Sequence, residues 1–203
     1  MDNQSGAWLS ARGRLSGVFP IVLDLKALLV VLVGEGEAVE TRLALLDAAG
    51  AGRIELYSAN PSQSLRERAG ARLRGARPTP EVIGRAGLLL LAGLAEGEAA
   101  PLAAAGRQSG VLVNTEDRKA LCDFHLPSVL RRGELLVSVS TGGRVPGLAR
   151  RLRIYLEGVF GPEWTDRLEE VAARREDWRS EGLDGSEVGR RTDAYVEEKG
   201  WLR

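Results

Sequence analysis

The stretch VVLVGEGEAVETRLALLDAAGA, from Val30 to Ala51, constrains the fold more than any other part of the chain. Leu28 to Val33 is a continuous apolar run, as expected of a parallel strand buried on both faces. After it, Val39, Leu43 and Leu46 recur at helical spacing, Leu45 and Ala49 widen the stripe, and Gly50 ends the helix. Strand, glycine turn and helix in this order make a βα unit. Gly34 and Gly36 match the first two glycines of G-x-G-x-x-G, where the first permits the tight turn and the second lets a pyrophosphate approach the backbone. The third position is Val39, so helix and strand must pack closely by other means. Glu35 lies between the glycines, and a carboxylate beside the loop opposes the anion that a helix N-terminus attracts. The expected penalty on dinucleotide binding is on the order of 1 kcal/mol or less. An acidic ribose partner is expected about 20 residues further on. Glu55 lies inside the next strand, whose tip offers only Ser58, Ala59 and Asn60. Taken alone, the motif fits either a cofactor loop or a plain βα turn.

The rest of the first half repeats the pattern. RIELYSAN reads as a second strand, SQSLRERAGARLRG as a polar helix, AGLLLLAG as a buried strand, EAAPLAAAGRQSG as a helix and VLVN as a fourth strand. Strands alternating with helices imply a doubly wound parallel α/β sheet with right-handed crossovers. Lys plus Arg and Asp plus Glu both count 28, so no global basic field points to nucleic acid. Cys122 is the only cysteine, which excludes an internal disulfide or a CxxC zinc site and suggests a reducing cytoplasm. The apolar runs near Leu28 and Leu88 are too short to span a bilayer. The N-terminus reads as a loose leader.

The pattern changes after Asn114. ELLVSVS is a strand, and VPGLARRLRIYLEGVF is an amphipathic helix with Leu148, Leu152, Tyr155, Leu156 and Val159 on one face. From Glu163 onward the chain is charged and helix-prone and holds Trp164, Trp178 and Trp201. These aromatics suit either a dimer anchor or a small helical core.

Three motifs in this half are more specific than the glycine loop: Asn114 to Asp117, Cys122 to Pro127 (CDFHLP), and Ser140 to Arg150 (STGGRVPGLAR). Together they resemble the precorrin-2 dehydrogenase/sirohydrochlorin ferrochelatase module found in siroheme synthases. FPIVLDL, from Phe19 to Leu25, is similar to that family's lead-in strand, and the likeness runs in order from Phe19 to about Gly161. The resemblance implies a Rossmann-like parallel sheet, then a smaller α+β dimerisation region, then a helical C-terminal region. The corresponding boundaries are a leader at 1–17, an NAD-binding domain at 18–114, a dimerisation and active-site region at 115–161, and helices at 162–203. It also implies a homodimer that oxidises precorrin-2 to sirohydrochlorin with NAD and inserts ferrous iron to give siroheme. No nucleic acid, membrane or resident metal is expected. Carried over residue by residue, cofactor contacts fall on Gly34, Gly36, Glu37, Ala38, Ala59 and Asn60. The catalytic aspartate falls on Asp117, and substrate contacts on Asn114, Ser140, Thr141, Gly142 and Arg144. This chain departs from the family at Glu35 (usually Gly), at Gly93-Leu94-Ala95 (usually Ala-Thr-Asp) and at Val145 (usually Ser). The altered cleft motivates a second class of reading, a non-enzymatic module that binds a dinucleotide or tetrapyrrole for sensing or delivery.

The residue chemistry is compatible with the dehydrogenase. Oxidising a reduced tetrapyrrole requires hydride transfer and loss of a proton, and metal insertion displaces pyrrole protons, so a carboxylate base serves both steps. Asp117 follows a strand end, where open α/β sheets place their sites; a helix N-cap or turn aspartate is its ordinary alternative. His125, the sole histidine, does not make a metal site by itself. Cys122 suits a small core residue. Arg144, Arg150, Arg151 and Arg153 form a local basic cluster, able in part to orient a polycarboxylate.

Overall fold

A computed structural model describes residues 19–202; the expected leader at 1–17 lies outside them. The chain forms two compact units that divide between His125 and Leu126. The first contains β1 (Leu29–Gly34), α1 (Gly36–Ala48), β2 (Arg53–Tyr57), α2 (Gln63–Ala69), β3 (Leu73–Gly75), α3 (Pro80–Gly84), β4 (Leu88–Ala92), α4 (Glu96–Gln108) and β5 (Leu112–Thr115). All five strands are parallel, in the order β3-β2-β1-β4-β5. The order reverses between β1 and β4, and this switch point opens a crevice beyond the carboxyl ends of those strands.

The unbroken apolar runs of β1 and β4 follow from their central position. Successive side chains face opposite sides of a sheet. Val31, Val33, Leu89 and Leu91 pack on one side with Ile83, Ala99 and Ala103 from α3 and α4. Val30, Leu32, Leu88 and Leu90 pack on the other with Val39, Leu43, Leu46 and Leu65 from α1 and α2. Each such Leu or Val side chain removed from water contributes about 1.5–3 kcal/mol. The buried stripe of α1 is narrower than its sequence suggests: Val39, Leu43 and Leu46 are buried, whereas Leu45 is 52% exposed.

Three expectations in this unit are corrected. The stretch read as one polar helix stops at Ala69, with Gly70 at φ +53, and its end becomes β3, where Leu73 pairs with Leu56. Phe19 to Leu25 forms no strand; Phe19 and Val22 are exposed, and Leu25 meets the sheet only through its carbonyl, which accepts from the Gly52 amide at 3.4 Å, and through partial packing on the core. The compact boundary falls after His125 rather than near Asn114, because residues 116–125 bind back onto β5. Asp123 accepts from the Val113 amide at 2.9 Å and from Arg107 at 2.8 Å, and its own amide donates to the Val113 carbonyl at 2.7 Å. This return covers the open side of an edge strand, whose unpaired N–H and C=O groups otherwise invite aggregation.

The second unit begins with an antiparallel hairpin, β6 (Ser128–Arg132) and β7 (Leu135–Val139). The sequence points to β7 alone. In β6 only Leu130 is buried, so the strand carries little apolar signal. Three helices follow, α5 (Pro146–Val159), α6 (Trp164–Ser180) and α7 (Gly185–Lys199). Asp184 caps α7 by accepting from the amides of Ser186 and Glu187. Phe160, Trp164, Trp201, Tyr195 and Trp178 form a chain of edge-to-face contacts, and the Arg167 guanidinium stacks over Trp164 and Trp201. The tail aromatics therefore build a small helical core. The apolar face of α5 stays open, with Leu148 49% and Tyr155 70% exposed.

A Cβ at Gly34 would lie 2.2 Å from the Ala92 carbonyl oxygen, while one at Gly97 in α4 would meet nothing within 4 Å. Gly34→Ala should therefore destabilise by about 1–3 kcal/mol or more through overpacking, and Gly97→Ala should be neutral or stabilise by up to about 1 kcal/mol. Urea unfolding of the two variants checks both signs.

Candidate functional site

The crevice is built from three loops at the carboxyl ends of β1, β4 and β5. Glu35 leaves β1 in extended conformation and its amide donates to the Ala92 carbonyl at 3.1 Å, which holds the first loop against β4. Gly93 completes the contact at φ +64, where a Cβ would fall 2.3 Å from the Glu35 carbonyl oxygen. The Gly93 departure noted in the sequence is thus the steric complement of the Glu35 loop. Gly36, the second motif glycine, has open space where a Cβ would be. Val39 at the third motif position is fully buried against the sheet, so α1 packs closely without a glycine there.

Glu35 is the N-cap residue of α1, but its side chain makes no capping hydrogen bond. A helix leaves its first four N–H groups without intrahelical partners, so the amides at Gly36, Glu37 and Ala38 face the crevice without a side-chain cap. That is a donor set suited to a pyrophosphate. Together with the Cβ-free surface at Gly34 and Gly36, it fits a dinucleotide.

The Glu35 carboxylate turns instead to the tip of β2. It accepts from the Ala59 amide at 2.6 Å, the Ser58 hydroxyl at 2.9 Å and the Asn60 amide at 3.1 Å. The negative charge expected to oppose the pyrophosphate is therefore bound elsewhere. Burial raises its pKa, but these three hydrogen bonds and the nearby Arg77 outweigh burial and hold the carboxyl below the usual glutamate range. Ala59 and Asn60, expected as cofactor contacts, spend their amide hydrogens on Glu35. The tip of β2 carries no acid of its own; one is brought there from the first loop.

Asp117 lies just beyond β5, exposed, at φ +55. A non-glycine residue in this region is uncommon, and aspartate and asparagine tolerate it best. Its two neighbours are anchored. Glu116 accepts from the Gly93 amide at 3.2 Å and pairs with Arg42 of α1 at 3.5 Å. Arg118 donates to the Leu94 carbonyl at 3.3 Å and pairs with Glu96 at 3.2 Å. Asp117 is held between them at the crevice mouth, and its carboxylate has no hydrogen-bond or ion-pair partner among the described residues. Glu116, Arg118 and Arg42 were not singled out in the sequence; flanking charges beside a candidate base were the only available signal.

Asn114 is buried, and its side-chain amide donates to the Phe124 carbonyl at 2.8 Å. Cys122 bonds through sulfur to the backbone of Thr115, at 3.3 Å from its amide and 3.0 Å from its carbonyl oxygen. Both tie the segment after Asp117 to β5. Ser140, Thr141, Gly142 and Arg144 lie in the other unit, on the loop from β7 to α5. There Ser140 Oγ accepts from the Gly142 amide at 3.2 Å, and Thr141 accepts from the amides of Arg144 and Val145 at 3.1 and 3.2 Å. The loop is a self-bonded turn feeding a helix. Arg153 pairs with Glu157, while Arg144 and Arg150 are exposed. No group of His, Cys, Asp and Glu among the described residues is arranged to hold a metal.

The Glu35 contacts also set a pH dependence. A carboxyl with a lowered folded-state pKa contributes stability above its unfolded value and loses that contribution as pH falls through the folded value. The stability advantage of wild type over Glu35→Gln should be full above about pH 4.5, the ordinary glutamate value, and shrink below it. Denaturant titrations at pH 7, 4 and 3 check the direction.

A sequence family described as "Putative NAD(P)-binding" matches residues 21–128, which bears out the expected dinucleotide cofactor. The chain is 37% identical over 141 residues to a siroheme synthase of Methylococcus capsulatus, covering 68% of this chain and 30% of that protein. It is 34% identical over 176 residues to siroheme synthase 1 of Pectobacterium atrosepticum, covering 78% and 36%. The chain thus spans about a third of the length of these relatives. A solved structure titled "SirC, precorrin-2 dehydrogenase" shares the fold with TM-score 0.69, at 20% identity, over 92% of this chain and 93% of that one. No helix among the described residues is long and apolar enough to cross a membrane. The chain belongs to this NAD(P)-binding family, in the branch formed by the N-terminal module of siroheme synthases.

Proposed function

We propose that the chain is an NAD-dependent dehydrogenase that oxidises precorrin-2 to sirohydrochlorin, and that the same cleft serves insertion of ferrous iron, a substrate, to give siroheme. The observation that carries this reading is the glycine loop leading into the uncapped end of α1 beyond β1, with the exposed Asp117 just beyond β5, in a chain similar to siroheme synthases. NAD, when bound, supplies the hydride acceptor. The loop at Gly34, Gly36, Glu37 and Ala38 holds the pyrophosphate, and the β2 tip at Ala59 and Asn60 receives the ribose by way of Glu35. Asp117 accepts the proton that leaves the substrate as its hydride is transferred, and it accepts pyrrole protons during metal insertion. Ser140, Thr141, Gly142 and Arg144 bind the substrate's carboxylates. Asn114 acts one step back, by holding Phe124. A reducing cytoplasm is inferred from the single cysteine.

The open face of α5 supports a two-fold homodimer. Leu148, Leu152, Tyr155 and Val159 are all exposed along it, and an apolar stripe of this kind is what a second copy would cover. Sedimentation equilibrium at micromolar concentration should give about twice the 21.8 kDa chain mass. Leu152→Glu should shift the protein to monomer; a wild-type monomer contradicts the dimer.

Purified protein given precorrin-2 and NAD should form NADH and sirohydrochlorin together, followed by absorbance; formation of neither leaves only the binding-module reading. Asp117→Asn keeps shape and backbone tolerance but removes the proton acceptor. Dehydrogenation should fall by about 10²- to 10⁴-fold with NAD binding and stability retained, and chelation should fall with it. Full activity in a folded variant would return Asp117 to a turn residue.

A further inference from the structure

The contacts of Glu35 say more than that its charge is kept from the pyrophosphate. Two successive amides, Ala59 and Asn60, converge with the Ser58 hydroxyl on one carboxylate. Consecutive N–H groups of this kind form an anion-binding nest. Arg77 adds positive potential at the same place, while paired to Glu98. The nest sits at the carboxyl end of β2, next to the strand that carries the first loop. In dinucleotide-binding sheets this is where the adenosine ribose lies, and where an acid receives its 2′-hydroxyl or a basic group its 2′-phosphate.

We propose that Glu35 is the residue that selects NAD over its 2′-phosphorylated form, by filling the anion nest at the β2 tip with a carboxylate of the protein's own. This rests on the dinucleotide part of the reading above and not on the tetrapyrrole substrate. An ionised carboxylate has about four acceptor sites. Three are used by Ser58, Ala59 and Asn60, which leaves one for a ribose hydroxyl. A 2′-phosphate finds the same place closed twice. Its charge of about −1.5 to −2 would meet a like charge, and the donors that could bind it are already engaged. The acid usually supplied after β2 is thus supplied from the β1–α1 loop, which explains why Ser58, Ala59 and Asn60 can end the strand without one.

With the carboxylate gone, the nest presents two amides, a hydroxyl able to donate and Arg77, with no anionic acceptor among them. That set suits a phosphate better than a hydroxyl. Removing Glu35 should therefore change the preference between the two cofactors and not merely weaken binding.

The test is calorimetric titration of the full chain with NAD and with NADP at one fixed ionic strength, for wild type, Glu35→Ala and Glu35→Gln. Residue 35 has extended backbone (φ −135), which alanine adopts without strain, and circular dichroism verifies the fold. Wild type should bind NAD about tenfold or more tighter than NADP. Glu35→Ala should bind NADP about tenfold or more tighter than wild type does. Glu35→Gln, which keeps the shape without the charge and can stand in if the alanine variant fails to fold, should lie between. Equal binding of NAD and NADP by wild type, or an unchanged ratio in the folded variants, overturns the proposal while leaving the dinucleotide site intact. Binding of neither cofactor by wild type overturns both.

Discussion

The molecule's chemistry depends on one close approach, between the end of β1 and the end of β4. Gly34 lies so near the Ala92 carbonyl that no side chain fits between them, and the next amide, of Glu35, bonds to that same carbonyl. This contact fixes where α1 begins and which way its uncapped N-terminus faces. At the β4 exit the backbone is left-handed at Gly93 and the Glu35 carbonyl occupies the space a Cβ would need, so both the conformation and the close approach call for glycine. The Gly93 amide then becomes the donor that Glu116 receives, and Glu116 with Arg118 sets the backbone on both sides of Asp117. A steric constraint in the sheet is thereby carried through three loops to the proposed base.

The sheet was legible in the sequence because its signals are strong and local. Unbroken apolar runs in β1 and β4 and the 39, 43, 46 spacing in α1 correspond directly to burial on both faces. β3 and β6 were not legible, for a common reason: β3 buries none of its residues and β6 only Leu130, so pairing stabilises them more than apolar periodicity does. Phe19 to Leu25 pairs with no strand of the sheet and leaves most of its apolar side chains exposed, with only Leu25 packed against the core. Leu45, read as widening the apolar stripe of α1, lies outside it, since only Val39, Leu43 and Leu46 of that helix are buried.

The site was legible in part. Motif spacing pointed to the first loop, and the family resemblance pointed to the β2 tip and Asp117. It did not find that Glu35 and the β2 tip are partners, since they are over twenty residues apart and bond through backbone amides that carry no sequence signal. The departure that cast most doubt on cofactor binding is thereby accounted for, and Gly93 is the matching departure across the crevice. The CDF stretch has a structural role: Cys122 and Asp123 fasten the segment behind Asp117 to the edge strand.

A dinucleotide lying across the crevice would touch both the Gly34 loop and the β2 tip. Amide hydrogen exchange with and without saturating NAD tests this most directly. Slowed exchange is expected at residues 36–38, where the uncapped end of α1 would meet the pyrophosphate, and at 58–60, where the Glu35-bound nest would be stabilised. Slowed exchange confined to Leu126 onward, or none anywhere at saturation, would contradict it.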